Sequence, residues 1–166
     1  MVAANRSAVD ALRGVAADPL SVAREWKAKG GKVLGYRCLY VPEEVVWAAG
    51  MLPFPLYGTP EPVKLADSYL QACTCELVRN LFDHALEGRY AGVLDGLALA
   101  NTCDALRHLT DNWRGYVEGI PVHFINNPQK LLTDDNRDYF MTELVAFRGW
   151  VEELSGTTVD DGELRA

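Results

Sequence analysis

Two cysteines stand where a thiol can act instead of pack. Cys75 lies in Cys73-Thr74-Cys75, a turn that opens a predicted helix, and Cys103 lies in Ala100-Asn101-Thr102-Cys103-Asp104, directly after a predicted strand. At a helix N-terminus the unpaired backbone N–H groups and the helix dipole favour negative sulfur. Thiolates at such boundaries point to iron–sulfur or zinc ligation in preference to disulfide chemistry. The spacing, one C-x-C pair and then Cys103, fits no zinc-finger template. Read without further context, the same two residues are equally well explained as small buried hydrophobes, a common state of free Cys.

Other chemistry-bearing residues are less pointed. His84, His108 and His123 are scattered, and none lies close enough to a nucleophile to suggest a triad. Arg37, Arg107 and Arg114 are of a type that pairs well with phosphate, but surface salt bridges explain them equally. Glu43 and Glu44 read as first-turn helix charges. Trp26, Trp47, Trp113 and Trp150 read as core or subunit-interface anchors.

These residues must be positioned by a chain of 166 residues, enough for one substantial core. A net charge of −7 with no basic stretch argues against a nucleic-acid binder. No apolar run reaches the roughly 18 residues of a membrane span, and Met1–Asp10 lacks a hydrophobic signal core, so a cytoplasmic setting is expected. There the four Cys are free thiols or ligands.

Residues 6–29 read as two helical pieces broken near Asp18-Pro19, with Asp18 as a cap, forming an N-terminal helical segment over 1–30. An α/β domain is expected over 31–154. Its strands are Val33–Cys38, Phe54–Tyr57 (weakened by Pro53 and Pro55), Gly92–Ala100 and Val122–Ile125. Helices are expected after Pro42, over about 68–88 and over 104–117. A last one is marked by Phe140, Leu144, Phe147, Val151 and Leu154 at 3-to-4 spacing. Alternating strands and helices predict a parallel, flavodoxin-like sheet of about four strands flanked by helices. In the order 2-1-3-4, Cys38, Cys75 and Cys103 all reach one rim at the carboxyl ends of the strands, where such sheets bind ligands. Residues 155–166 read as a following segment: Asp160 as a cap with Glu163 three residues on suggests a helix begun and not completed, hence the front portion of a longer polypeptide.

Several strings together resemble one enzyme family. They are Gly35-Tyr36-Arg37-Cys38-Leu39-Tyr40-Val41-Pro42-Glu43-Glu44, Ala48-Ala49-Gly50-Met51-Leu52-Pro53, Ala66-Asp67-Ser68-Tyr69-Leu70 with Thr74-Cys75, and Leu86-Glu87-Gly88 with Leu94-Asp95-Gly96. Asn101-Thr102-Cys103-Asp104 with Trp113-Arg114 completes the set. From about residue 30 to 154 the chain is similar to the N-terminal portion of the 2-hydroxyacyl-CoA dehydratase and benzoyl-CoA reductase iron–sulfur subunits.

That resemblance implies a [4Fe–4S] cluster, with Cys75 and Cys103 matching two of its ligands and a third Cys expected outside this stretch of chain. It implies a homologous second subunit, an ATP-dependent activator or ferredoxin as electron donor, and an acyl- or aryl-CoA thioester as substrate. One-electron reduction of the thioester to a ketyl-type radical anion would precede dehydration or ring reduction. Thiolate ligation and burial would set the cluster potential, and a dry cleft would protect the radical. Three readings compete: a cluster-free, shortened scaffold of the same family, a reductase of small unsaturated molecules with an unusual cluster, and a flavodoxin-like nucleotide binder. The last is disfavoured because Cys38-Leu39-Tyr40-Val41 replaces a Gly-rich loop.

Overall fold

A computed structural model describes residues 2–130, 132–162 and 164, with side chains from Ala8 onward. Strand β1 (Lys32–Arg37) is buried over most of its length and is central. It pairs with β2 (Met51–Pro55) on one side and β3 (Gly96–Ala100) on the other, and β3 pairs with β4 (Val122–Ile125). All pairings are parallel, in the order β2-β1-β3-β4. This is the expected α/β, flavodoxin-like arrangement.

The nearly continuous apolar strands follow from coverage on both faces. Val33 of β1 with Leu97 and Leu99 of β3 face α2 (Leu20–Ala28), α4 (Glu76–Leu86) and α5 (Asp104–Tyr116). Leu34, Tyr36, Ala98 and Ala100 face α3 (Glu43–Ala48) and α6 (Asp134–Ser155). A Cβ on Gly96 would stand 2.8 Å from Leu154 Cδ2 and 3.1 Å from Trp150, so glycine there lets α6 lie close on the sheet. Helix α1 (Val2–Ala17) precedes α2.

Three element boundaries differ from the sequence reading. The helix expected over about 68–88 is confined to α4. Before it, Ala66–Ser68 forms a short 3-10 turn, and Thr74 N bonds Gln71 O in a second turn. Polar side chains of α4, described below, hold the preceding loop in a form that a continued helix would destroy. Strand β2 starts earlier than Phe54 and contains both prolines. Leu56 N donates to Tyr36 O at 2.9 Å, so even-numbered residues face β1 and Pro53 and Pro55 turn their nitrogens to the open edge. Strand β3 begins at Gly96, because Gly92 adopts a positive φ of 71° and Leu94 N closes a turn onto Tyr90 O.

Asp18 does break the N-terminal helical stretch, but its carboxylate pairs with Arg24 at 2.7 Å instead of capping α2. Its carbonyl accepts from the Ser21 hydroxyl at 2.6 Å. At the far end, Asp160 Oδ1 accepts from Gly162 N at 2.8 Å, and Glu163 lies outside the described residues. The segment before it folds back on α6: Val159 is buried, and its N–H donates to Glu152 at 2.8 Å.

Candidate functional site

Crossovers leave β1 and β3 in opposite directions, so the loops after these two strands part and open a cleft. A cavity of about 390 Å³ lies there. Its wall includes Arg37 and Cys38 from the end of β1, Tyr57 beyond β2, Cys75 before α4, and Cys103 before α5. Three of the four cysteines therefore share one cavity. Cys73 does not line it; its thiol is exposed and donates to Gln71 at 3.5 Å.

Cys75 and Cys103 are built alike. Each is the residue that caps a helix, a position usually held by Ser, Thr, Asp or Asn, whose oxygens bond the free backbone N–H groups. Neither side chain makes a capping bond, and both residues are exposed. Their carbonyls start the helices: Cys75 O accepts from Val78 N and Arg79 N at 3.0 Å, and Cys103 O from Arg107 N at 3.3 Å. Sulfur at these positions is left available where oxygen would be engaged.

Cys38 differs. It has a φ of 86°, the sole positive φ outside glycine among the described residues, and its carbonyl accepts from Val41 N at 3.3 Å. That turn throws Leu39 into solvent, 93% exposed, beside the cavity mouth. A left-handed conformation is disfavoured for a residue with a Cβ and is maintained only where surroundings over-determine it. Here Tyr36 anchors the strand end by donating to Glu43 Oε2 at 2.8 Å. Burial, reinforced by this bond to Glu43, pushes the Tyr36 phenol up to about 12.

Arg37 donates from Nη1 to Leu56 O at 3.4 Å and lies over the Tyr57 ring at 5.6 Å. Arg107 instead reaches Asn101 Oδ1 at 3.0 Å. Asn101 Nδ2 donates to Asn126 Oδ1 at 2.6 Å, and Asn126 N donates to Glu143 at 2.9 Å. This polar chain ties the Cys103 loop to the end of β4 and to α6. Arg114 lies at the far end of α5, paired with Asp111 at 3.9 Å.

The most informative side chains that sequence reasoning passed over are polar residues on the buried face of α4. Asp83, 2% exposed, accepts three backbone N–H groups on one oxygen, from Lys64 (3.1 Å), Leu65 (2.6 Å) and Ala66 (2.8 Å). Burial alone would raise its pKa, but these three donors outweigh that and hold the carboxyl below its usual value. Asn80 accepts from Thr59 N at 2.7 Å and donates to Glu61 O at 3.0 Å. His84 is buried with Nε2 3.2 Å from the Thr59 hydroxyl; burial first, then the Arg89 cation, lowers its pKa. Together they pin the loop running from Tyr57 in the cavity wall toward Cys75. Spacing of three and four within one helix is the signal that could have found them. Asp95 is a further such residue, accepting Val33 N at 2.7 Å and Lys27 Nζ at 2.7 Å.

His108 is exposed, and His123 packs half-buried against Phe147 and Trp150, with burial lowering its pKa. Trp113 is fully buried and donates to Ile120 O at 2.9 Å, whereas Trp47 is exposed and packs on Trp26 at 6.0 Å.

Iron–sulfur clusters are held by Cys thiolates, four in the common types. The donor set here matches part of such a site: two unengaged thiols enter one cavity, but no group of three or more His, Cys, Asp or Glu is placed to hold a metal ion among the described residues. The sequence profile of the 2-hydroxyglutaryl-CoA dehydratase D-component matches residues 38–166. The chain belongs to that family. It is 33% identical over 150 residues to a benzoyl-CoA reductase subunit from Thauera aromatica, covering 88% of this chain and 39% of that protein. It is 28% identical to the beta subunit of (R)-phenyllactyl-CoA dehydratase of Clostridium sporogenes over 86% of this chain and 38% of the relative. For the beta subunit of (R)-2-hydroxyglutaryl-CoA dehydratase of Acidaminococcus fermentans the identity is 28%, over 89% of this chain and 39% of the relative. The chain thus spans about two-fifths of the length of these relatives, each of which is named as a subunit. No helix among the described residues is long and apolar enough to cross a membrane.

Proposed function

We propose that this chain forms the N-terminal, thiolate-bearing part of a cytoplasmic iron–sulfur subunit that acts on an acyl- or aryl-CoA thioester by single-electron chemistry. Cys75 and Cys103 supply two ligands to a [4Fe–4S] cluster, and the remaining ligation comes from outside this stretch of chain. When bound, such a cluster supplies a low-potential electron for thioester reduction. A homologous second subunit packs against this one, and an ATP-dependent activator or ferredoxin provides the electron. Dehydration and ring reduction are both open to this site, since relatives of each kind match at similar length.

What the residues themselves contribute is positional. The α4 and α5 N-termini present sulfur without a competing capping bond. Leu77, Val78 and Leu106 give that sulfur an apolar wall. The observation that carries the reading is the convergence of two cysteines at helix-cap positions, from the loops after different strands, on one cavity at the strand-order switch point.

A second reading is favoured by one observation, the lack of a third metal-ligating side chain in place among the described residues. It makes the chain a cluster-free interaction domain for a full-length relative. Anaerobic purification, alone and co-expressed with a second subunit, separates the two through iron and sulfide content and the EPR spectrum of the reduced protein. A cubane signal lost in Cys75→Ala and Cys103→Ala supports ligation. No iron in either preparation overturns it and leaves the interaction domain.

A further inference from the structure

The cavity that holds the thiols has a single charged side chain in its wall, Arg37, and no carboxylate. Every other arginine with a described side chain has an Asp or Glu oxygen within 4.0 Å. Among the described residues, Arg37 has none. This is not for want of acids, since the chain carries 23 Asp and Glu against 16 Lys and Arg. One long hydrogen bond to Leu56 O and the face of Tyr57 hold the guanidinium in place. Most of its five N–H donors stay uncommitted.

A half-buried cation without a counter-charge is unfavourable until an anion joins it. We infer that Arg37 makes this cavity an anion receptor, its guanidinium providing the counter-charge for a negatively charged group held against Cys75 and Cys103. A carboxylate-sized anion and a thiolate-bound metal–sulfide group share that chemistry. The inference rests on the reading above only in taking this cavity as the site, and it holds with or without iron.

Alkylation of the cluster-free protein tests it, with each cysteine read separately by mass spectrometry. Iodoacetate and iodoacetamide attack the same thiolate; an S–C bond forms, the C–I bond breaks and iodide leaves. Their rate ratio therefore cancels the thiolate population and reports only preference for the charged reagent. Cys73, exposed and outside the cavity, is an internal control.

At Cys75 and Cys103 the iodoacetate-to-iodoacetamide ratio should exceed that at Cys73. It should fall at least about threefold in Arg37→Gln and largely return in Arg37→Lys. Added salt should erode it in the unaltered protein, a measurement needing no variant. Ratios equal to that of Cys73, or indifferent to salt and to Arg37→Gln, overturn the inference. Bound iron with unchanged ratios would leave the cluster proposal standing and sink this one; absent iron with an Arg37-dependent ratio would do the reverse.

Discussion

Replacing Asp83 by Ala should destabilise the protein by about 3 kcal/mol, and the figure can be built from its three donors. Ala66 is buried, so its N–H loses an ionised acceptor and meets no water, a loss of about 1–3 kcal/mol. Lys64 and Leu65 are exposed, and their N–H groups can rehydrate, so each contributes only about 0.5–1 kcal/mol. Asp83→Asn keeps an acceptor oxygen in place but gives up charge assistance, which roughly halves each bond and predicts an intermediate loss. The pH dependence has a definite sign. A carboxyl held below its unfolded value contributes stability that is present above that value, about 3.9, and is lost as pH falls through the folded one. Urea unfolding followed by tryptophan fluorescence at pH 7 gives the magnitude. Repeating it below about pH 4 should shrink the gap between the unaltered protein and the Asp83→Ala variant. Hydrogen exchange at residues 64–66 localises the effect. A loss under about 1 kcal/mol at pH 7, or a gap that persists in acid, would refute the clamp.

Two further substitutions probe the cavity rim. Cys38→Gly removes the Cβ from a residue with φ 86° and should raise stability by about 0.5–1 kcal/mol, seen as a higher melting temperature. A lower one would mean that packing of the Cys38 thiol outweighs backbone strain. Tyr36 should ionise late, near 12. Glu43→Gln should bring it down while burial still keeps it above 10, followed by the absorbance of ionised tyrosine. Because its pKa is raised, Tyr36 contributes stability fully present below pH 10 and lost as pH rises through 12. Ionisation of Tyr36 at its ordinary value would show that neither the burial nor the Glu43 contact holds.

The strands, their order and the shared rim of Cys38, Cys75 and Cys103 are legible in the sequence because they follow from rules local to the chain. Val122–Ile125 is a short apolar run between turn residues, and the parallel-sheet rule places loops after β1 and β3 together. What stays hidden depends on pairings across the fold. Ser68–Thr74 has no strong helix breaker, so sequence alone extends the helix backward; the carboxylate that stops it, Asp83, lies at the other end of α4. Pro53 and Pro55 weaken a strand that accommodates them because it is an edge, and edge status is a property of the sheet. Arg37 is marked in the sequence only by its place beside the rim, since only the folded chain shows which arginines have found acids.

Cys75 owes its place to residues that never touch it. Between Tyr57 and Cys75 the chain makes no strand and no full helix, and a loop of that length would ordinarily wander. Asn80, Asp83 and His84 instead project from the buried side of the helix that Cys75 begins and seize the loop at Thr59, Glu61 and Lys64–Ala66. The helix thereby fixes the path of the segment that precedes it. Loop and helix are tied together over residues 59–66, so the helix that Cys75 begins cannot shift against that loop without breaking buried polar bonds. Cys103 is held by an analogous device, Asn101 to Asn126 and on to α6, but there the polar chain is exposed. Water competes more for the latter bonds than for those to Asp83, which is itself buried. The Cys75 side of the cavity is therefore the stiffer jaw, and any widening of the cleft on binding should come from the Cys103 loop.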